Sequence, residues 1–164
     1  MKTLILIRHG KSSWKDSSLQ DLDRPLNSRG QSNSETMGER LLLKKVVPTD
    51  IYSSPAARAT ETAMLVTEAL GLSRATIKIT PSLYTFNYEE LLGWIKLLDR
   101  HEDAIGLVCH NPAITDLVNF LTLSNIEKIF TCGVVVLKLN ISCWNQLGAG
   151  MADIAYYDYP KNNR

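Results

Sequence analysis

The chain has 164 residues, 45% hydrophobic and 21% charged, a length and balance that suit one core and exclude a disordered polypeptide. Its net charge of +1 gives no global attraction to nucleic acid or to a membrane, so any anion must be held by locally placed basic groups. No apolar run reaches the length of a membrane span, and the cysteines Cys109, Cys132 and Cys143 are odd in number with no paired spacing, which points to a reducing cytoplasm.

Short β-like runs alternate with amphipathic helix-like runs, with no internal repeat or low-complexity linker. This predicts one domain over residues 1–164, an α/β sandwich around a mostly parallel central sheet. The first strand is Thr3 to Ile7; the apolar stretch from Met1 is too short for a signal peptide. A polar loop runs from His9 to about Asn27, and a helix from about Ser28 to Lys45 with Met37, Leu41 and Leu42 on one stripe. Ile51 and Tyr52 fall in a second strand. A second helix follows Ser54, with Pro55 at its first position and Gly71 as its stop. Ile77 to Thr80 reads as a third strand, and Asn87 with Glu90 as a capping box for a helix ending near Leu98. Ala104 to Cys109 is an apolar strand. Asn111 and Pro112 then give an N-cap and first-turn proline for a helix through Leu121. Val134 to Leu139 and Ala152 to Tyr157 are the last strands, with a tail expected to fray after Tyr157.

Three strand-to-helix junctions carry polar or basic residues: Arg8-His9-Gly10, Ser54-Pro55 with Arg58, and His110-Asn111-Pro112. In an open α/β sheet, ligands collect outside the carboxyl ends of the strands, where helix N-termini also face anions. The three clusters are therefore expected at one end of the sheet. A neutral imidazole at His9 can attack phosphorus, splitting one displacement into two. Arg8 offers a planar fork matched to phosphate oxygens, and Gly10 permits close approach of the backbone or a positive φ. Arg58 can act with the helix dipole on one anion. His110, if protonated, can donate to a phosphoryl oxygen. Taken singly, each has an ordinary explanation: a structural histidine, a surface arginine, a core histidine satisfied by backbone.

Together, Arg8-His9-Gly10, Ser54-Pro55 with Arg58-Ala59 and Thr62, and His110-Asn111-Pro112 resemble the histidine phosphatase, or phosphoglycerate mutase-like, superfamily. The short length and the segment Asp23-Arg24-Pro25-Leu26-Asn27-Ser28-Arg29-Gly30 look most like its SixA-type phosphohistidine phosphatase branch. The resemblance implies His9 as nucleophile, a phosphate pocket of Arg8, Arg58 and His110, and further substrate contacts from Arg24, Gly10 and Asn111. It implies a three-layer fold, a mostly parallel central sheet with helices on both faces, and no metal and no organic cofactor.

The sequence departs from the larger members in two places. Their acidic glutamate after the third strand is replaced by Tyr84 in Ser82-Leu83-Tyr84-Thr85, and tyrosine is a weak acid near neutral pH. Their Glu-Ser-x-Trp-Asn after Arg-His-Gly becomes Lys11-Ser12-Ser13-Trp14-Lys15. Asp16, Asp21 and Asp23 are the remaining proton-donor candidates, although each reads better as a solvated loop or capping residue. A weak acid suits a phosphorylated nitrogen, which solvent can protonate, better than an ester oxygen. The chain also lacks length for the lid insertions of a mutase, which must shield its intermediate from water.

The expected function is a metal-independent phosphatase acting through a phosphohistidine on His9, with a phosphorylated protein, such as a phosphohistidine signalling domain, as partner. A small-molecule phosphomonoesterase with a phosphorylated metabolite as substrate is the runner-up, and a non-catalytic phosphate-binding docking module is the reading from another class. A cysteine phosphatase is excluded because Thr115, Lys138 and Ala149, not arginines, stand six residues after the cysteines. An aspartyl-phosphate enzyme is excluded because Asp21-Leu22-Asp23 lies in a polar loop, not at a strand end.

Overall fold

The computed structural model describes residues 1–162. Six strands form one sheet in the order β3-β2-β4-β1-β5-β6. They are β1 (Lys2–Arg8), β2 (Asp50–Ser53), β3 (Ile77–Ile79), β4 (Ala104–Cys109), β5 (Val134–Leu139) and β6 (Ala152–Asp158). Only β5 runs against its neighbours; the pairings among β1, β2, β3 and β4 are parallel. The four α-helices are α1 (Ser28–Leu43), α2 (Ala57–Ala69), α3 (Tyr88–Ile95) and α4 (Ala113–Thr122). This is the α/β sandwich expected from the alternation of periods.

The alternation within β1 shows why helices cover both faces. Leu4 and Leu6 point into a core with α3 and α4, built from Leu91, Ile95, Ile114, Leu117 and Leu121. Ile5 and Ile7 point the other way, against Met37 and Leu41 of α1 and Ala59, Ala63 and Val66 of α2. A strand buried on both sides reads as a continuous apolar run. Each such side chain stabilises the fold by about 1.5–3 kcal/mol.

Several local expectations are corrected. Pro55 is not the first residue of α2, which begins two residues later with Ala56 as N-cap. The Ser54-Pro55 segment lies between β2 and α2 and sets Ser54 against His110. Asn87 does cap α3, through Glu89 N–H at 2.8 Å, but Glu90 does not close a capping box. Its carboxylate accepts from the Thr85 hydroxyl at 2.6 Å, and that hydroxyl in turn accepts from Asn87 N–H at 3.2 Å. Pro112, not Asn111, is the N-cap of α4, and Asn111 reaches into the helix from one residue earlier. The tail does not fray after Tyr157. Asp158 is buried, pairs with Arg40 of α1 at 3.2 Å, and accepts from Tyr159 N–H and the Asn162 amide.

Sheet register sets the site. Arg8 pairs with Cys109 and Ser53 with Val108. The next residues along these strands, His9, Ser54 and His110, therefore emerge side by side at the carboxyl edge. His9 N–H donates to Cys109 C=O at 3.2 Å, and Ser54 N–H to Val108 C=O at 2.9 Å.

Candidate active site

His9 lies where β1 ends, its carbonyl accepting from Cys132 N–H at 3.1 Å. Its Nδ1 is 2.8 Å from Gly10 C=O. A carbonyl only accepts, so Nδ1 carries the proton and Nε2 keeps its lone pair. Nε2 faces the Arg58 Nε–H at 3.3 Å. Burial pushes the His9 pKa down to about 4; the Gly10 hydrogen bond opposes this, and the charges of Arg58, Arg8 and Arg24 add to it. The ring is neutral and nucleophilic at neutral pH.

His110 stands beside it, with ring centroids 5.1 Å apart. Its Nε2 is 2.7 Å from Ser54 Oγ, while its Nδ1 is buried with no hydrogen-bond partner. Burial, followed by His9 and the nearby arginines, lowers its pKa to about 3. This favours a neutral ring over the protonated donor considered from sequence. With Ser54 donating to Nε2, Nδ1 would carry the hydrogen. Tyr84 and Phe86 pack on it with centroids at 5.4 and 5.3 Å.

Arg8 donates through Nη1 to Ile129 C=O at 2.8 Å, and its Nε is buried and unpartnered. Arg58, the second residue of α2, is 3% exposed. The same guanidinium edge that reaches His9 through Nε reaches Asp21 Oδ2 through Nη2 at 2.9 Å, and Nη1 donates to Asp21 C=O at 2.6 Å. Arg24 donates to Asp21 Oδ1 at 2.6 Å and to the Ser12 hydroxyl, with its guanidinium 3.8 Å from the Trp14 ring centroid. The Tyr84 hydroxyl also donates to Asp21 Oδ2, at 2.6 Å.

Asp21 is an exposed loop residue, as expected, but it is not without partners. Its carboxylate ties Arg24, Arg58 and Tyr84 together. The Tyr84 hydroxyl first, helped by the two arginines and opposed by burial, holds its pKa well below the usual carboxylate range. Both of its oxygens accept hydrogen bonds in the resting site. Tyr84 is raised above its ordinary value, chiefly by its bond to Asp21. Asp16 is exposed and bonded to Ser18, and Asp23 is exposed, so neither joins the cluster.

Gly10 and Asn111 have structural work instead of an open face. The Gly10 N–H donates to Thr62 Oγ1 at 3.0 Å, and its φ is not positive. A Cβ at Gly10 would stand 2.9 Å from Cys132 Sγ and 3.0 Å from Gly30 C=O, so the glycine serves close packing behind His9. The Asn111 amide donates to Ile129 C=O at 3.0 Å, and its oxygen accepts from Thr115 N–H and hydroxyl. Sequence reading left out Ser54 as a partner of His110 and Phe86 as a wall of the site. Ser54 was legible as a polar residue at a strand end; Phe86 gave no signal.

The Asp21 carboxylate takes the Nη2 position of the fork whose Nε touches the His9 lone pair, which is where an oxygen of a phosphoryl group on Nε2 would be held. An incoming oxyanion must displace it. Asp21→Asn is expected to tighten inhibition by tungstate about tenfold, the scale of one charge-assisted hydrogen bond. Weaker inhibition in that variant would show that the carboxylate serves only to hold the arginines.

Among the described residues, no group of three or more His, Cys, Asp or Glu side chains is placed to hold a metal ion. No helix there is long and apolar enough to cross a membrane.

A neutral imidazole whose Nε2 accepts from Arg58, set among buried cations at the carboxyl edge of the parallel strands, has the make-up of an oxyanion site. The chain belongs to the histidine phosphatase superfamily, whose branch 1 model matches residues 4–113. An uncharacterized chloroplastic protein of Arabidopsis thaliana is 29% identical over 154 residues, covering 88% of this chain and 70% of that one. The structure of the protein histidine phosphatase SixA with tungstate superposes with a TM-score of 0.81 at 21% identity, covering 98% of both chains. A mycobacterial glucosyl-3-phosphoglycerate phosphatase complexed with VO3 superposes with a TM-score of 0.69 at 15% identity, covering 97% of this chain and 100% of that one.

Proposed function

We propose that this phosphatase hydrolyses phosphohistidine on a protein, without a metal or organic cofactor, and that His9 is its nucleophile. One observation supports this most. Arg8 Nε and His110 Nδ1 are both buried and both without a partner; Arg8 immediately precedes His9, and the His110 ring stands beside the imidazole whose Nε2 faces Arg58. Unsatisfied buried donors are rare in folded proteins, and two of them beside a nucleophile suit the oxygens of a phosphoryl group.

In the first step, His9 Nε2 attacks phosphorus and the bond from phosphorus to the leaving nitrogen breaks. Arg8, Arg58, Arg24 and the His110 Nδ1–H take the phosphoryl oxygens once Asp21 has yielded. Water then attacks the phosphohistidine, releases inorganic phosphate and restores the lone pair on Nε2. Positioning and charge stabilisation supply most of the catalysis in such transfers.

The leaving group follows from the missing acid. Asp21 is ionised and tied to two arginines, and Tyr84 is a weaker acid than a free tyrosine. A phosphorylated imidazole leaves readily once protonated by solvent; an alkoxide does not. The structural likeness to a protein histidine phosphatase supports the same choice. The likeness to a glucosyl-3-phosphoglycerate phosphatase supports the small-molecule alternative.

Steady-state turnover of phosphohistidine and of an alkyl phosphate decides between them. A kcat/KM at least about a hundredfold higher for phosphohistidine is expected, the scale of one absent general acid. Equal values, or a preference for the ester, would favour the phosphomonoesterase. Tungstate binding without turnover of either would favour a docking module.

A further inference from the structure

A cavity of about 420 Å³ opens beside the catalytic pocket, and the mechanism above does not use it. Lys11, Arg29 and Lys161 line it together with Asn33, Phe130 and Tyr159, and no carboxylate does. The volume falls within the range of ligand-binding clefts. The three cations are exposed and form no ion pair with any described residue.

The chain itself joins this cavity to the chemistry. Lys11 stands two residues after His9. Phe130 lies between Ile129, whose carbonyl accepts from Arg8, and Cys132, whose N–H donates to the His9 carbonyl. The far wall is fixed as well. Arg40 donates to the carbonyls of Tyr159 and Pro160 at 3.0 and 3.2 Å, which pins the segment carrying Lys161 against α1.

We propose that this cavity anchors an acidic segment of the phosphorylated polypeptide, next to the residue whose phosphoryl group His9 accepts; this rests on the reading of the chain as a protein phosphatase. The cations come from three separate stretches, the loop after β1, the first turn of α1 and the tail. They therefore match several spaced carboxylates better than one compact phosphate chain. The Phe130 and Tyr159 rings have centroids 5.0 Å apart and are tilted by 58°, which leaves no parallel slot for a nucleobase. Half-exposed aromatic surface beside cations is the usual make-up of a protein-binding patch.

Two phosphohistidine peptides test this, one flanked by Asp and Glu and the other by Asn and Gln, assayed with wild type and with Lys11→Glu/Arg29→Glu/Lys161→Glu. The substituted side chains are exposed, so the fold is retained. The wild type is expected to favour the acidic peptide in kcat/KM by tenfold or more, the scale of several surface charge pairs acting together. The preference should fall as salt rises and vanish in the variant, with phosphoramidate turnover unchanged. Equal kcat/KM for both peptides in the wild type, or a preference that survives in the variant, would overturn the proposal and leave the phosphatase reading intact. If neither peptide is hydrolysed, that reading fails instead. Fluorescence anisotropy of the labelled acidic peptide then decides the anchor alone: binding lost on charge reversal supports it, and no binding to the wild type refutes it.

Discussion

His9→Ala is expected to abolish the acid-labile phosphoryl adduct that forms on the wild type after brief mixing with phosphoramidate, and to lower turnover by at least about 10³-fold. The fold should survive, because the bonds that hold this position are main-chain: N–H to Cys109 and C=O from Cys132. Tungstate should still bind, since the arginines and His110 remain. Intact-mass spectrometry and phosphate release read the two effects. An adduct of equal yield in the variant would move the nucleophile elsewhere. In the wild type, the acid limb of kcat/KM should fall as pH drops through about 4, where the free imidazole gains its proton. A bound phosphoryl group favours that proton, so the limb for kcat should lie at higher pH.

Arg58 is the second position of large effect. Its guanidinium is the one group that touches both the His9 lone pair and the Asp21 carboxylate. Arg58→Ala is expected to lower kcat by about 10²–10³, the scale of one lost preorganised donor. Arg58→Lys keeps the charge but loses the planar fork, so it should recover thermal stability more than it recovers kcat. A KM effect with kcat unchanged would mean that Arg58 contributes equally to the bound substrate and the transition state.

Most of the sheet was legible because its central strands are buried on both faces. Ala104–Cys109 and Val134–Leu139 have the bounds their composition suggested. The three junctions were legible for the same reason: a polar residue at the end of a fully apolar run has nowhere to go but the sheet edge. Element ends were less legible. Ser54-Pro55 carries good helix-start residues, but the Ser54 N–H is bonded to β4 and the chain bends at Pro55 before the helix begins. Asp21 was harder still. In sequence it is one of three acids in a polar loop; Arg24 is its neighbour three residues on, but only the fold shows that Arg58 and Tyr84 come to it from distant parts of the chain. The replacement of the usual glutamate by Tyr84 could be read directly, but not that its hydroxyl would bind a carboxylate from the first loop.

The Asp21 bridge also bears on the end of the catalytic cycle. When inorganic phosphate departs, Arg24 and Arg58 need not be rehydrated, because a tethered anion is at hand to take its place. A product that must compete with a resident carboxylate at high local concentration leaves sooner and rebinds less. The same loop residue that opposes entry is thus expected to make the enzyme tolerant of free phosphate, with the slow step of turnover lying in opening the site rather than clearing it.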